Sequence, residues 1–175
     1  METAANQREP QLVLDDLIGM LREELTQYGE LLALLEQQLE LIVSRSAEGL
    51  FENLAAINAQ IPLVAAARQK RDALRKELAV ALGLSGTASF RLLTQSAPTD
   101  YRPLLEALVT EINDLLRRSQ QRLRQNHILL RRSLDSMQQM ITSLFPTAIG
   151  RTYNQAGAIN KQADTSQSSI YELLA

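Results

Sequence analysis

Few residues in this chain could do chemistry, and their spacing points to binding rather than catalysis. The one histidine, His127, lies in Arg124-Gln125-Asn126-His127. A helical metal site needs a partner such as Glu-x-x-His, which this run does not supply. With no cysteine, thiol catalysis, disulfides and cysteine zinc sites are excluded. Gly83-Leu84-Ser85-Gly86 lacks both the lysine and the spacing of a phosphate-binding loop. No Ser/Asp arrangement has a scaffold on which to converge, so no catalytic residue, metal ligand or cofactor site is nominated.

Two other patterns suit binding. Arg117, Arg124 and Arg131 recur every seven residues, each one place past Leu116, Leu123 and Leu130, and Arg118, Arg122 and Arg132 join them. No acid lies between Asp114 and Asp135. Such a stripe could hold nucleic acid or an acidic partner. The simpler account pairs it with acids of an earlier helix, for which Glu23, Glu24, Glu30, Glu36 and Glu40 are candidates. The second pattern is the cluster Met137, Met140, Ile141, Leu144 and Phe145. It reads equally as core and as an adaptable surface for a partner helix.

The element carrying both patterns spans 104–145. It follows the helix-start signal Thr99-Asp100-Tyr101-Arg102-Pro103, runs without Gly or Pro, and stops at Phe145-Pro146, where proline ends a helix. At about 1.5 Å per residue it is roughly 60 Å long, more than one compact domain needs for its own core. Its seam reads Leu105, Val109, Ile112, Leu116, Gln120, Leu123, His127, Leu130, Leu134, Met137, Ile141 and Leu144. The four-four-three step around Gln120 predicts a stutter, with Gln120 and His127 as polar seam residues.

The earlier chain supplies its supports. Leu14, Ile18, Leu21, Leu25, Tyr28, Leu32, Leu35, Leu39 and Ile42 alternate spacings of four and three, a heptad seam of one helix. Leu31, Leu34 and Leu41 widen it, which favours a bundle. An interruption is expected near 44–49. The pattern resumes at Leu50, Leu54, Ile57, Ile61 and Val64, with Pro62 expected to kink that helix or mark a turn between two. Arg68, Lys70, Arg71, Arg75 and Lys76 follow, over a stripe of Leu74, Leu78 and Leu82. Gly83 and Gly86 are expected to supply φ > 0, and Phe90, Leu92 and Leu93 one short packed turn. No strand signal is present.

The chain is therefore expected to be all-α, an antiparallel helical bundle or coiled coil of long helices with a flexible C-terminal tail. The divisions are a lead-in over 1–10, a bundle over 11–145 and a tail over 146–175. Within the bundle, helices span about 11–46, 48–82 and 101–145, with a connector over 83–100. The tail is too polar for a core, apart from Thr152-Tyr153-Asn154-Gln155-Ala156-Gly157 and Ile170-Tyr171-Glu172-Leu173-Leu174. The latter places apolar groups at i, i+3 and i+4, enough for one helical turn on a partner surface.

Bulk properties fit that picture. A chain of 175 residues is one domain's length. Its net charge of −2 gives no support to nucleic-acid binding. Charge is uneven, −8 over residues 1–60 and +6 over 61–145, which suits helices folding on one another. The start, Met-Glu-Thr-Ala-Ala-Asn-Gln, lacks a signal peptide's regions, and no run of 18 apolar residues exists, so no membrane span is expected.

Taken in order, these pieces resemble the FlgN family of flagellar export chaperones over most of residues 12–157. The resemblance rests on Leu31-Leu32-Ala33-Leu34-Leu35-Glu36, the basic second segment ending Leu82-Gly83, and Ser96-Ala97-Pro98-Thr99-Asp100-Tyr101-Arg102-Pro103. It continues through Arg124-Gln125-Asn126-His127-Ile128-Leu129-Leu130 and Thr152-Tyr153-x-x-x-Gly157. It departs at Arg122, where the family pattern commonly has Asn. The resemblance implies a cytoplasmic chaperone without enzymatic activity or cofactor. Such a chaperone binds the helical C-terminal segments of hook-filament junction proteins (flagellar hook-associated proteins), prevents premature assembly and delivers them to the flagellar export gate. On this reading Leu130, Leu134, Met137, Ile141 and Leu144 bind the client, and Tyr153 with Gly157 docks on the gate. The alternative is a structural homo-oligomeric coiled-coil scaffold or adaptor without export cargo. A homodimer in the absence of client stays open.

Overall fold

A computed structural model describes residues 9–144, and they form four helices with no strand among them. The first, α1 (Pro10–Ser44), starts with proline at its first position, where the missing N–H would have no helical partner and φ is already set. It ends at Arg45, which adopts a left-handed φ of 57°. The Arg45 N–H donates to Ile42 O and the Ser46 N–H to Leu41 O, the paired reverse bonds of a Schellman motif. Ser46 does not continue the seam of α1. Its hydroxyl caps α2 (Ala47–Ala81) by accepting from the Gly49 N–H at 3.3 Å. A Cβ on Gly49 would stand 2.7 Å from a Leu41 methyl, so a larger residue there would have to push that side chain aside.

The helix α2 closes by the same device, with Gly83 at φ 71° and the Leu84 N–H on Ala79 O. Gly86 has no positive φ, contrary to expectation. Pro62 marks no turn between two helices either, because α2 runs through it unbroken. Pro62 and Asn58, whose carbonyl loses its donor, both face solvent. Water can therefore satisfy that carbonyl while Ile57, Gln60 and Val64 keep the opposite face on α1. A short α3 (Phe90–Ser96), capped by the Ser89 hydroxyl, leads into α4 (Arg102–Leu144).

The central helix is α1, on which α2 and α4 each chiefly pack. Its heptad seam is the core: Leu14, Ile18, Leu21, Tyr28, Leu32, Leu35 and Ile42 are buried, Leu25 and Leu39 half-buried. Leu31 is buried beside them and Leu34 half-buried, as the widened face requires. The antiparallel partner is α2, as Asn53 reaches Leu34 and Arg71 reaches Glu24. The helix α4 runs in the direction of α1. Near its start the charge of Asp15 on α1 raises the Tyr101 hydroxyl above its ordinary value, and Asn126 meets Leu35 and Gln38 further along.

Candidate functional site

The grip of α1 on α4 changes along its length. At the near end Leu105, Leu108 and Ile112 are buried in the common core. Further along, the fully buried residues of α4 are Ser119 and Asn126. This corrects the expected seam, which carried Gln120 and His127. Those two are half-buried, and positions 105, 112, 119 and 126 keep a strict heptad without a stutter. For Asn126 the physical reason is hydrogen bonding by its NH2 group, whereas the small Ser119 side chain is buried with no hydrogen-bond partner among the described residues. The Asn126 amide is 1% exposed and donates to Leu35 O at 2.7 Å and to Gln38 Oε1 at 2.9 Å. An amide with two such acceptors can be buried, whereas an unpaired one would cost about 1–3 kcal/mol.

The same device holds α2. Asn53 donates to Leu34 O at 3.0 Å and to Gln37 Oε1 at 3.2 Å. Gln60 donates to Gln27 O at 3.1 Å and to Gln27 Oε1 at 2.7 Å. Three flanking amides thus reach main-chain carbonyls of α1, each beside a glutamine of α1. Such rungs fix register, because sliding one helix would strand every amide. The sequence signal was present in Gln27, Gln37 and Gln38, which interrupt an otherwise leucine-rich helix.

The expected charge pairing is made mostly elsewhere. Glu24 is 1% exposed, and Arg71 Nη1 of α2 lies 3.1 Å from both its carboxylate oxygens. Burial pushes the Glu24 carboxyl above its ordinary range, opposed by the Arg71 and Arg68 charges. Burial likewise raises the Tyr28 hydroxyl, which Arg68 hydrogen-bonds. Of the α4 arginines, Arg122 reaches Glu36 at 3.8 Å and Arg117 turns to Asp114 on its own helix. Arg124, Arg131 and Arg132 point to solvent.

Beyond Asn126 the core ends and α4 does not. Carrying the offsets of 91 and 88 residues forward sets Ser44, the last residue of α1, level with about 132–135 of α4. Some ten residues of α4, about 15 Å, therefore project past the α1–α2 turn. Of the sequence-predicted client residues, Leu130 is half-buried, and Leu134, Met137, Ile141 and Leu144 are 63%, 51%, 54% and 71% exposed. Met140 is exposed too. Met137, Met140, Ile141 and Leu144 are thus no part of the core formed by the described residues.

At 3.6 residues per turn, the five side chains point within about 50° of the mean direction of Leu105, Ile112, Ser119 and Asn126. The exposed stripe therefore lies on the same broad side of α4 as the α1-packing face, turned slightly from the heptad that runs on through Ser133 and Met140. Tyr153, Gly157, Phe145 and the Ile170–Leu174 segment lie outside the described residues.

Two other apolar surfaces are present. At the opposite end a cleft of about 360 Å³ is lined by Pro10, Leu14, Leu78, Leu82, Ala97 and Arg102. The helix α2 carries an 18-residue stretch of mean hydropathy 1.3, of which 28% is buried. Length and composition alone would let such a helix cross a membrane, but here its inner face carries Asn53, Gln60 and Arg71 onto α1. No group of His, Cys, Asp and Glu able to hold a metal ion occurs among the described residues.

The family model described as FlgN protein matches residues 13–161. No curated protein and no solved structure matches the chain.

Proposed function

Since this chain belongs to the FlgN family of flagellar export chaperones, we propose that the overhanging face of α4 is where it holds its client. A general role as a flagellar export chaperone comes with family membership. The finer reading is that Leu130, Leu134, Met137, Ile141 and Leu144 take the amphipathic C-terminal helix of a hook-filament junction protein. The observation that carries it is the continuity of the face. α4 presents to solvent the stripe that upstream packs against α1, so a client helix laid there replaces a partner that ends at Ser44. Five residues spaced four and three apart are the anchors that a helix-in-groove contact uses. Two of the exposed residues nearby, Met137 and Met140, adapt to more than one client surface.

Covering a client's apolar stripe keeps it from pairing with other subunits, since exposed stripes are association hazards. The stripe is short enough that release remains feasible. Delivery to the export gate is assigned, by family resemblance, to Tyr153 with Gly157. The tyrosine ring buries area there while its hydroxyl finds a polar partner. The protein acts in the cytoplasm without catalysis, cofactor, nucleic acid or membrane insertion.

Met137→Glu with Ile141→Glu should abolish co-purification with the junction-protein C-terminal segment while the helical circular dichroism and melting midpoint stay put. Retained binding would move the client site elsewhere. Tyr153→Ala should keep the client and weaken retention on the export gate, and an equal loss of both would mean that the segment is no separate docking element.

A further inference from the structure

The Ile170–Leu174 segment takes no part in the function proposed above, and the overhang of α4 has no cover among the described residues. We propose that these belong together: Ile170, Leu173 and Leu174 dock intramolecularly on the Leu134–Met137–Ile141 face as a self-cap that a client must displace. The identity of that face as the client site rests on the preceding reading, but the contact itself does not.

Three observations carry it. The first is shape. Ile170, Leu173 and Leu174 recur at i, i+3 and i+4, so one turn of helix would present all three on one side, matching an exposed stripe with the same spacing. Residues 146–169 contain no other cluster of three large aliphatic side chains at helical spacing. The second is reach. Leu144 ends the described helix at the far end of the stripe, and Leu130 lies about 21 Å back along the axis. The 25 intervening residues, 145–169, can span roughly 80 Å when extended, so folding back requires no strain. An intramolecular contact also needs no strong intrinsic affinity, because its effective concentration is high.

The third is charge. Arg131 and Arg132 are exposed beside the stripe, and neither makes a hydrogen bond or ion pair with the described residues. The docking segment brings Glu172 between its apolar anchors, with Asp164 upstream. One turn of helix is a weak partner alone, which suits a cap that blocks casual association and yields to a longer client helix.

The absence of cysteine makes the test clean. In the full chain carrying Gln138→Cys and Ser169→Cys, a short bis-maleimide should crosslink the two positions within one molecule. Ile170→Glu with Leu174→Glu should abolish that crosslink, as should Met137→Glu with Ile141→Glu. The Ile170→Glu/Leu174→Glu variant should also bind the junction-protein C-terminal segment about tenfold more tightly, as removal of an intramolecular competitor requires. Absence of the crosslink overturns the cap, as does a crosslink that survives either pair of substitutions or joins two copies. An intact crosslink pattern with client affinity unmoved by Met137→Glu/Ile141→Glu would instead remove the client-site reading and leave the contact standing.

Discussion

The two halves of α4 use one face for two ends. From Leu105 to Ile112 that face is apolar and buried against α1, and from Leu134 to Leu144 it is equally apolar and open to solvent. Between them stand Ser119 and Asn126, buried and polar. A continuous heptad thus says which side of a helix wants a partner, but not whether the partner is in the same chain. That is decided by where the neighbouring helix stops, here by the Arg45 turn. The polar step between the halves gives the core a definite boundary, since an amide bonded to Leu35 O fits only one register.

The largest effect that tests this contrast is in the near half. Leu105→Ala should lower stability by about 2–5 kcal/mol in urea unfolding, the usual range for a buried leucine. A loss as small as that of an exposed residue would mean the near half is not anchored in the core. At the boundary, Asn126→Ala should cost about 1–2 kcal/mol by the same measurement, through the hydrogen bonds lost and Gln38 left short of a donor.

A smaller effect, confined to the α1–α2 side, comes from Glu24. Its folded carboxyl is raised above the ordinary value of 4.5. The protonated form is thus favoured in the fold, and that contribution is complete below 4.5 and lost as pH rises through the folded value. Wild type should therefore lose stability relative to Glu24→Gln between pH 4.5 and 7, and a pH-independent difference would show that burial does not control this carboxyl. The smallest effect belongs to the overhang. Met137→Ala should change stability by less than about 0.5 kcal/mol, and a larger loss would show that the far half is buried after all.

Much of this was legible in the sequence because it follows from periodicity. The nine-residue seam of α1 could only be a helix with a buried stripe, and the long run to Leu144 without Gly or Pro could only be a helix that outreaches its neighbours. The residues proposed to hold the client were legible as a face, but their exposure was not. Met137 and Ile141 look the same as Leu105 and Ile112 until the end of α1 is placed beside them. Asn126 was missing from the expected seam for a related reason. By type Asn belongs outside, and its burial depends on Leu35 O and Gln38, some ninety positions earlier. Of the two outcomes open for Pro62, the turn between helices is absent, since α2 runs on through it and keeps the face that Ile57 and Val64 bury on α1. Glu24 and Arg71 were separately visible as charges, but only the antiparallel register pairs them.

The tight turn at Arg45 also sets an order of events. Rungs between α1 and α2 close across as few as 19 residues, whereas those between α1 and α4 close across 91. Loop-closure entropy favours the first by roughly 1.4 kcal/mol, so the hairpin should form before α4 docks. Translation reinforces this. Asn126 is added 45 residues after Ala81, a delay of roughly 2–9 s at ordinary elongation rates. For those seconds the nascent hairpin shows the ribosome's surroundings the face of α1 that α4 will cover. While it is being made, this chaperone therefore has an unsheltered apolar stripe of its own.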